Sequence, residues 1–419
     1  MLSVPPEPPF RTLLTSRICS ALAGPAVPVL LVMTVLSTAH GPRTLSAVLA
    51  AEAAPAVVFL FIGGVVSDRF SRRRLVVMAD VVSAVTCVLL AALLWSHAAS
   101  ATALCALAAV NGANQALLFP AYRALFPRTV TPANLQAANS IRSLVGSLSG
   151  IAGPALAGAL TPLTGLAGAW SACAVGYAAS AVLMLRVAVD AQGSTDDSVL
   201  AQMRSSWRYF RSQPWLVAVD AYAAVWHLMV WAPFLVAGAL VVDQRYGGAH
   251  SWGYLQASIG AGTLLGAVLA NRMRVARVLV VAVAGVGIFG AVDLGLGAGL
   301  PLAALLAAAA VGGVGLSVGD ICWSATLQAR VPDAVLGQIF SYDYLVSVAL
   351  LPFGLMLVPS LSAAFGSVTL LTAGGVVSFA GMVALWVLPF VRGVLDETPA
   401  VAGPTAAEDL AEAEALADV

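Results

Sequence analysis

Lysine is absent from the chain: every one of its 20 basic residues is arginine, and 20 acidic residues balance them. Without lysine there can be no G-x-x-x-x-G-K-[ST] phosphate loop, which argues against an ATP-driven pump. A net charge of zero offers no basic face to displace counterions from phosphates, so nucleic acid is not expected as a partner. Charge of either sign is scarce, 10% of residues where a soluble domain carries about 25%, which sets aside a water-soluble enzyme. The five cysteines (Cys19, Cys87, Cys105, Cys173, Cys322) stand singly in apolar runs, with no C-x-x-C and no histidine at ligand spacing. They read as small packing residues, and neither a metal site nor a cofactor is expected. The start, MLSVPPEPPFR, lacks a short apolar core with a small-residue cleavage site and does not read as a removable signal peptide.

What fills the chain is hydrophobic residues, 60% of the total. A helix crosses the hydrocarbon with about 20 apolar residues. Breaking the sequence at charges, Pro/Gly clusters and polar turns gives twelve spans, near 13–38, 44–67, 75–96, 101–126, 135–162, 167–189, 214–241, 251–271, 277–298, 302–327, 334–361 and 367–391. The expected fold is an all-α membrane protein with twelve transmembrane helices in two six-helix bundles, residues 1–189 and 214–392. Between them, residues 190–213 form a linker in which Trp207, Tyr209 and Phe210 interleave with Arg204, Arg208 and Arg211. That pattern fits a short amphipathic helix in the headgroup region, or a plain surface tether. The acidic, Ala-rich tail 393–419 is expected to be disordered. Arginines gather on one set of connections, and only Arg43 and Arg245 fall on the other, so the positive-inside rule places both termini in the cytoplasm.

The connection between spans two and three reads GGVVSDRFSRRRLVVMAD, with Gly64, Asp68, Arg69, Arg72, Arg73 and Arg74. An acid beside several arginines in a tight turn can form a charge network with the ends of neighbouring helices, and Asp80 is expected to join it. Six spans later the pattern returns weakened in LLGAVLANRMRVARVL, with Asn271 in the acid's place followed by Arg272, Arg274 and Arg277. The turn resembles the G-x-x-x-D-R-x-G-R-R loop of the major facilitator superfamily, with Ser71 at the second glycine. The resemblance implies the major facilitator fold, two bundles rocking about a midplane site, and a gate made by Asp68, Arg69, Arg72 and Arg73 that holds the cytoplasmic side shut. In span five, SLSGIAGPALAG places Gly146, Gly150 and Gly158 at four-residue steps, with Gly153 and Pro154 in mid-membrane. This run permits close helix packing. It also resembles the family's antiporter signature G-x-x-x-G-P-x-x-G-G, with Ser149 and Ala157 at two of the glycines, which implies export. Longer stretches, among them ALFPRTVTPANLQAANS and LQARVPDAVLGQIFSYDYLVSVALLPFGL, look like the branch containing enterobactin exporters and macrolide efflux proteins. That resemblance implies a monomer in a bacterial cytoplasmic membrane, with a small amphipathic substrate, a lipid bilayer around it and protons as the coupled ion.

Charges inside the hydrocarbon are costly enough to ask for a reason. Glu52 and Arg142 fall near mid-depth and pair if their helices are neighbours. Asp343, between Tyr342 and Tyr344, is the first candidate for carrying a proton and Glu52 the second; span four lacks the membrane-embedded arginine often found in proton antiporters of the superfamily it resembles, and either Arg142 substitutes for it or proton coupling does not follow. Asp220 and Asp320 fall nearer the cytoplasmic end, where water or a salt bridge explains them. Asn111, Asn114 and Gln115 in span four would be wasted against lipid, as would Trp323 in span ten, and these join Asp320 as candidates for a cavity wall. Span seven offers Tyr222, Trp226, His227 and Trp231, which face either a cavity or lipid; His227 is a proton relay or a packing histidine. Uptake or facilitated diffusion shares all of this architecture. An intramembrane hydrolase built on GLSVG (Gly315–Gly319) is the remote alternative, because that motif requires a strand-to-helix elbow and a partner histidine.

Overall fold

The computed structural model describes residues 7–38, 41–69, 71–131, 134–187, 199–270, 273, 277–389 and 391, and among them every regular element is a helix. Helices α1 (Pro8–Ala21) and α2 (Ala23–Ser37) together make the first span. They are followed by α3 (Gly41–Arg69), α4 (Arg72–Trp95), α5 (Ala101–Leu125) and the 50-residue α6 (Leu135–Met184). A separate helix, α7 (Val199–Ser212), precedes the second half. There α8 (Pro214–Trp226) runs through two π-helical turns, His227–Trp231 and Phe234–Gly238, into α9 (Ala239–Arg245). The rest are α10 (Ala249–Ala270), α11 (Val278–Ile288), α12 (Gly290–Ala298), α13 (Leu302–Arg330), α14 (Asp333–Val348), α15 (Leu351–Phe365) and α16 (Ser367–Val387).

Among the described residues the expected spans fall on helical segments, 135–162 and 167–189 both within α6 and 13–38, 214–241, 277–298 and 334–361 each over more than one helix. Ten runs are long and apolar enough to cross a membrane; one of them, Leu148–Met184, contains the break at Gly165, and the 29-residue α3 is not among the ten. The helices are inside-out relative to soluble ones. On α4 the exposed residues are Met78, Val81, Val85, Val88 and Leu89, while Asp80, Ser83 and Thr86 are buried. A stripe of large apolar side chains facing outward with polar groups inward is stable only in lipid.

One end of the bundle carries the arginine-poor connections. All its turns pivot on left-handed residues, at Gly41, His97, Gly165, Gly247, Gly248, Gly299 and Gly366. Such turns need few residues, since glycine adopts a positive φ without steric cost. At the other, arginine-rich end, Glu7 fixes the start of α1. Its carboxylate accepts hydrogen bonds from the Thr131 backbone N–H (3.0 Å), the Thr131 hydroxyl (2.8 Å) and Asn134 Nδ2 (2.9 Å). The Asn134 and Thr131 donors hold that carboxyl down from 4.5 to about 2.

The pairing of helices repeats between halves. In the first, α3 packs on α5 and α4 on α6; in the second, α10 packs on α13 and α12 on α16. Between halves the main contacts are α6 with α10 and α15 with α3, and a shift of six spans converts each of these pairs into the other. That exchange is what a parallel duplication requires. The hydrophobic core is continuous across both halves where Val32, Leu49 and Trp170 meet Phe234, Trp252 and Leu355. Toward the arginine-rich end it divides into two separate cores, one around Phe10, Val76 and Met184, the other around Leu216, Ile339 and Tyr342. The halves are therefore joined at the arginine-poor end and parted at the other. Helix α7 belongs to the second half, and its aromatic face covers α14: Trp207 meets the Tyr342 ring at 5.2 Å, and the Ser206 hydroxyl donates to Gln338 Oε1 at 3.1 Å. The amphipathic helix expected in the linker is thus present as α7, with its aromatic face against α14. The tail 393–419 lies outside the described residues.

Candidate functional site

Where the two cores part, a chamber opens between the halves. Its first lobe, about 480 Å³, is lined by Arg17, Ser20, Gln115, Tyr122, Arg142, Tyr177 and Tyr344. A second, about 550 Å³, belongs mainly to the C-terminal half and is lined by Asp220, Tyr222, Trp226, His227, Trp231, Asp320, Trp323, Asp343 and Tyr344. A third, about 260 Å³, lies under the closed end with Glu52, Gln115, Gln256, Leu351 and Leu355 on its wall. Tyr344 is common to the first and second lobes, Gln115 to the first and third, and Leu351 to the second and third. They are parts of one central chamber, in the size range of small-molecule sites.

The second lobe collects most of the residues expected there. Trp323 Nε1 donates to Asp343 Oδ1 at 2.9 Å, and the Asp220 carboxyl lies on the wall of the same lobe, where α8 packs on α14. Neither Asp220 oxygen has a hydrogen-bond partner among the described residues. Two carboxyls meet favourably only when one of them carries a proton and serves as donor. Sequence reasoning assigned Asp220 to water or a salt bridge near the helix end. The structure corrects this, because the two helices α8 and α14 cross and bring together residues far apart in the chain. His227 Nδ1–H donates to the Ala223 carbonyl at 2.8 Å, so one ring nitrogen is engaged and the ring still borders the lobe. The indole of Trp226 donates to the Ser378 hydroxyl (3.1 Å) and stacks on Trp231 at 5.6 Å, so this aromatic run faces the chamber on one side and the protein core on the other. The π-helical turns start at His227, at the chamber wall, where such turns commonly mark function.

In the first half the expectations are met unevenly. Glu52 and Arg142 do not pair. Glu52 Oε1 accepts from Asn111 Nδ2 at 2.9 Å, whereas Arg142 lies over the Phe126 ring at 5.5 Å in another lobe. Helix α5 lies against α3 and supplies the nearer partner. Asn114 leaves the list of cavity residues: its Nδ2 donates to the Ala79 carbonyl and the Ser83 hydroxyl, both at 2.9 Å, and so ties α5 to α4. Asn111 likewise serves Glu52 instead of the chamber, and only Gln115 of the three lines it. Asp80 is fully buried, paired with Arg17 and accepting from the Ser180 hydroxyl at 2.7 Å. It therefore locks α1, α4 and α6 together within the bundle and does not belong to a surface loop network. Of the gate residues, Arg73 donates to the Val187 carbonyl at 3.0 Å; the side chains of Gly64, Asp68, Arg69 and Arg72, like Asn271, Arg272 and Arg274, lie outside what is described.

The glycines of span five do not act as one face. Gly146 and Gly150 border open space, Gly153 lies against the Leu22 carbonyl and Pro25, and Gly158, one turn after Pro154, meets Gly253 of α10. One acid escaped the sequence reading altogether. Asp293 in α12 is fully buried, with no hydrogen-bond partner for either oxygen among the described residues, and fits only because Gly374 leaves its side-chain volume empty. The signal was a lone aspartate within span nine.

Comparison with known proteins agrees with this geometry. The profile described as Major Facilitator Superfamily matches residues 13–341. An uncharacterized MFS-type transporter of Sinorhizobium fredii, y4rN, is 28% identical over 378 residues, 85% of this chain and 91% of its own. Another, YfiS of Bacillus subtilis, is 25% identical over 296 residues, 67% of this chain and 68% of its own. Among solved structures, a POT family transporter in complex with 5-aminolevulinic acid superposes with a TM-score of 0.71 at 13% identity, covering 93% of this chain and 97% of the other. A bacterial homolog of the human lysosomal transporter Spinster, inward-facing and unoccupied, gives 0.65 at 13%, covering 92% and 95%. At such identities these two structures speak for the fold alone.

Proposed function

The chain belongs to the Major Facilitator Superfamily, as a multi-pass membrane transporter and not an enzyme, and from that premise we propose that it exports a small amphipathic compound by proton antiport. The arginine-rich end is cytoplasmic, the membrane is a bacterial cytoplasmic membrane, and both termini lie inside. Substrate enters the central chamber from the cytoplasm while the α6–α10 and α15–α3 contacts close the other end. The halves then rock, the gate residues Asp68, Arg69, Arg72 and Arg73 engage, and substrate leaves outward. A proton returns through the chamber to reset the cycle.

The observation that carries this reading is the Asp220–Asp343 pair on the chamber wall. Two neighbouring carboxyls on one wall, Asp343 held by Trp323 and Asp220 without a partner among the described residues, can bind a proton on one face of the membrane and release it on the other as the chamber changes sides. Glu52, on the lobe beneath the closed end, is a second carrier. The proline-bent fifth span and the likeness to enterobactin exporters and macrolide efflux proteins favour outward transport over uptake.

The test uses purified protein in proteoliposomes, with a panel of aromatic acids, amines and neutral compounds as substrates. An imposed pH gradient is expected to drive accumulation by the wild type. Asp343→Asn and Asp220→Asn are expected to abolish gradient-driven accumulation while keeping substrate–substrate exchange. Accumulation that ignores the pH gradient, or that persists in both variants, would refute proton antiport.

A further inference from the structure

The two halves of the chamber differ in charge. The second lobe holds carboxyls; the first holds two guanidinium groups, and they are not equivalent. Arg17 is neutralised by Asp80. Arg142 has no carboxylate within ion-pair distance among the described residues, and its guanidinium lies over the face of Phe126, at 5.5 Å. A ring face steadies a guanidinium and leaves its in-plane N–H donors unused. On the wall of the same lobe, the Tyr177 hydroxyl is buried and makes no hydrogen bond among the described residues, though the Gln115 amide comes near it. An uncompensated cation and an unused buried hydroxyl on the wall of one apolar lobe are costs that an anionic ligand would remove.

We propose that this lobe is the receptor for the head of an organic acid, with Arg142 as its counter-ion and Tyr177 and Gln115 as further donors. The inference rests on the reading of the chain as a transporter and names its substrate class: a carboxylate on an apolar or aromatic body. The body extends past Tyr344, the residue common to both lobes, toward the stacked rings of Trp226 and Trp231. Guanidinium suits this task because its donors match the two oxygens of a carboxylate.

Binding at equilibrium, without any gradient, separates this proposal from the transport reading. Full-length protein in detergent is titrated with 1-naphthaleneacetate and with decanoate, each against its own uncharged amide, and with 1-naphthalenemethylamine, following thermal unfolding. Both acids are expected to stabilise the wild type, at concentrations about 10- to 100-fold below their amides, the range set by one charged hydrogen-bonded contact. Arg142→Gln is expected to erase the preference, Arg142→Lys to retain part of it, and Tyr177→Phe to weaken it while leaving a fold that can be measured. Arg245→Gln, which removes an exposed arginine outside the chamber, is expected to bind the acids as the wild type does. Equal binding of acid and amide, preference for the amine, no stabilisation by either acid, or an intact preference in Arg142→Gln would overturn the proposal. Acid binding without gradient-driven movement would leave it standing and remove the antiport reading instead.

Discussion

The closure of the arginine-poor end depends on a backbone approach that can be tested with one methyl group. A Cβ placed on Gly253 would lie 2.9 Å from the Gly158 Cα and 3.3 Å from its nitrogen, backbone atoms that cannot turn aside. The reverse substitution is milder, since a Cβ on Gly158 would lie 3.5 Å from the Gly253 Cα, ordinary contact. Gly253→Ala must therefore push α10 away from α6, and it does so only in the state in which these helices meet. Overpacking of this kind costs about 1–3 kcal/mol, which shifts the balance between the two chamber orientations by about 5- to 150-fold. The assay places a cysteine at Val32, buried on the wall of the lobe beneath the closed end, in a chain lacking the five native cysteines. An impermeant maleimide is then added on the arginine-poor side. While the opposite orientation is the minor one, labelling tracks its population, so Gly253→Ala is expected to accelerate labelling by about 5-fold or more. Gly158→Ala should change it far less, and Gly150→Ala, which faces open space, not at all. Labelling of Gly253→Ala at the wild-type rate, or a larger effect from Gly158→Ala, would refute the reasoning.

Three further outcomes are expected. Asp80→Asn leaves the Arg17 guanidinium without its counter-charge inside the first bundle and should destabilise it by about 3–5 kcal/mol, with Arg17→Gln/Asp80→Asn less affected than the single variant, both measured by thermal unfolding in detergent. Glu7 has its carboxyl lowered to about 2 by donors in the 131–134 segment, so its contribution is complete above its ordinary 4.5 and is lost as the pH falls through about 2. Amide exchange at Thr131, corrected for intrinsic rates, should stay flat from neutral pH down to the ordinary value and rise below it, whereas Glu7→Gln should show faster exchange throughout. Asp68→Asn should reach the membrane in normal amount and yet fail to cycle; normal extrusion by that variant would remove the gate assignment.

Hydropathy made the helical, membrane-spanning class legible, because a span must be apolar along its whole length, though it did not show that 135–162 and 167–189 share the single helix α6. The arginine bias marked the two ends equally well. Contacts between distant spans were harder to read. Glu52 was matched with Arg142 on depth alone, but depth does not say which helices are neighbours, and Asn111 was the nearer partner. The same gap hid the Asp220–Asp343 pair, which exists only because α8 and α14 pack together. Asp80 was grouped with loop arginines by proximity in sequence, whereas its partner comes from the first span. Of the polar residues expected in span four only Gln115 lines the chamber, whereas Tyr222, Trp226, His227 and Trp231 of span seven all border it. Their sorting between chamber and core turned on which helix face each occupied, and small glycine contacts fix those faces.

Those contacts also separate what the fold requires from what transport requires. Gly112 of α5 closes on the carbonyl of Glu52 in α3, and Gly313 of α13 closes on the carbonyl of Ile259 in α10. The approach is the same in both halves, so Glu52 and Ile259 hold corresponding places. Two residues further along, Asn114 donates to Ser83 of α4 in the first half, where Gly315 meets Gly285 of α11 in the second. In one bundle a hydrogen bond joins the helices; in the other, bare backbone does. The duplicated scaffold thus keeps the close approach and tolerates isoleucine where its twin has a carboxyl. Packing does not account for Glu52, and the same logic reaches the charged residues that face the chamber, Arg142 from α6 and Asp343 from α14. The duplicated scaffold is satisfied without these charges, and under the proposed function Arg142 serves the substrate while Asp343 and Glu52 serve the proton.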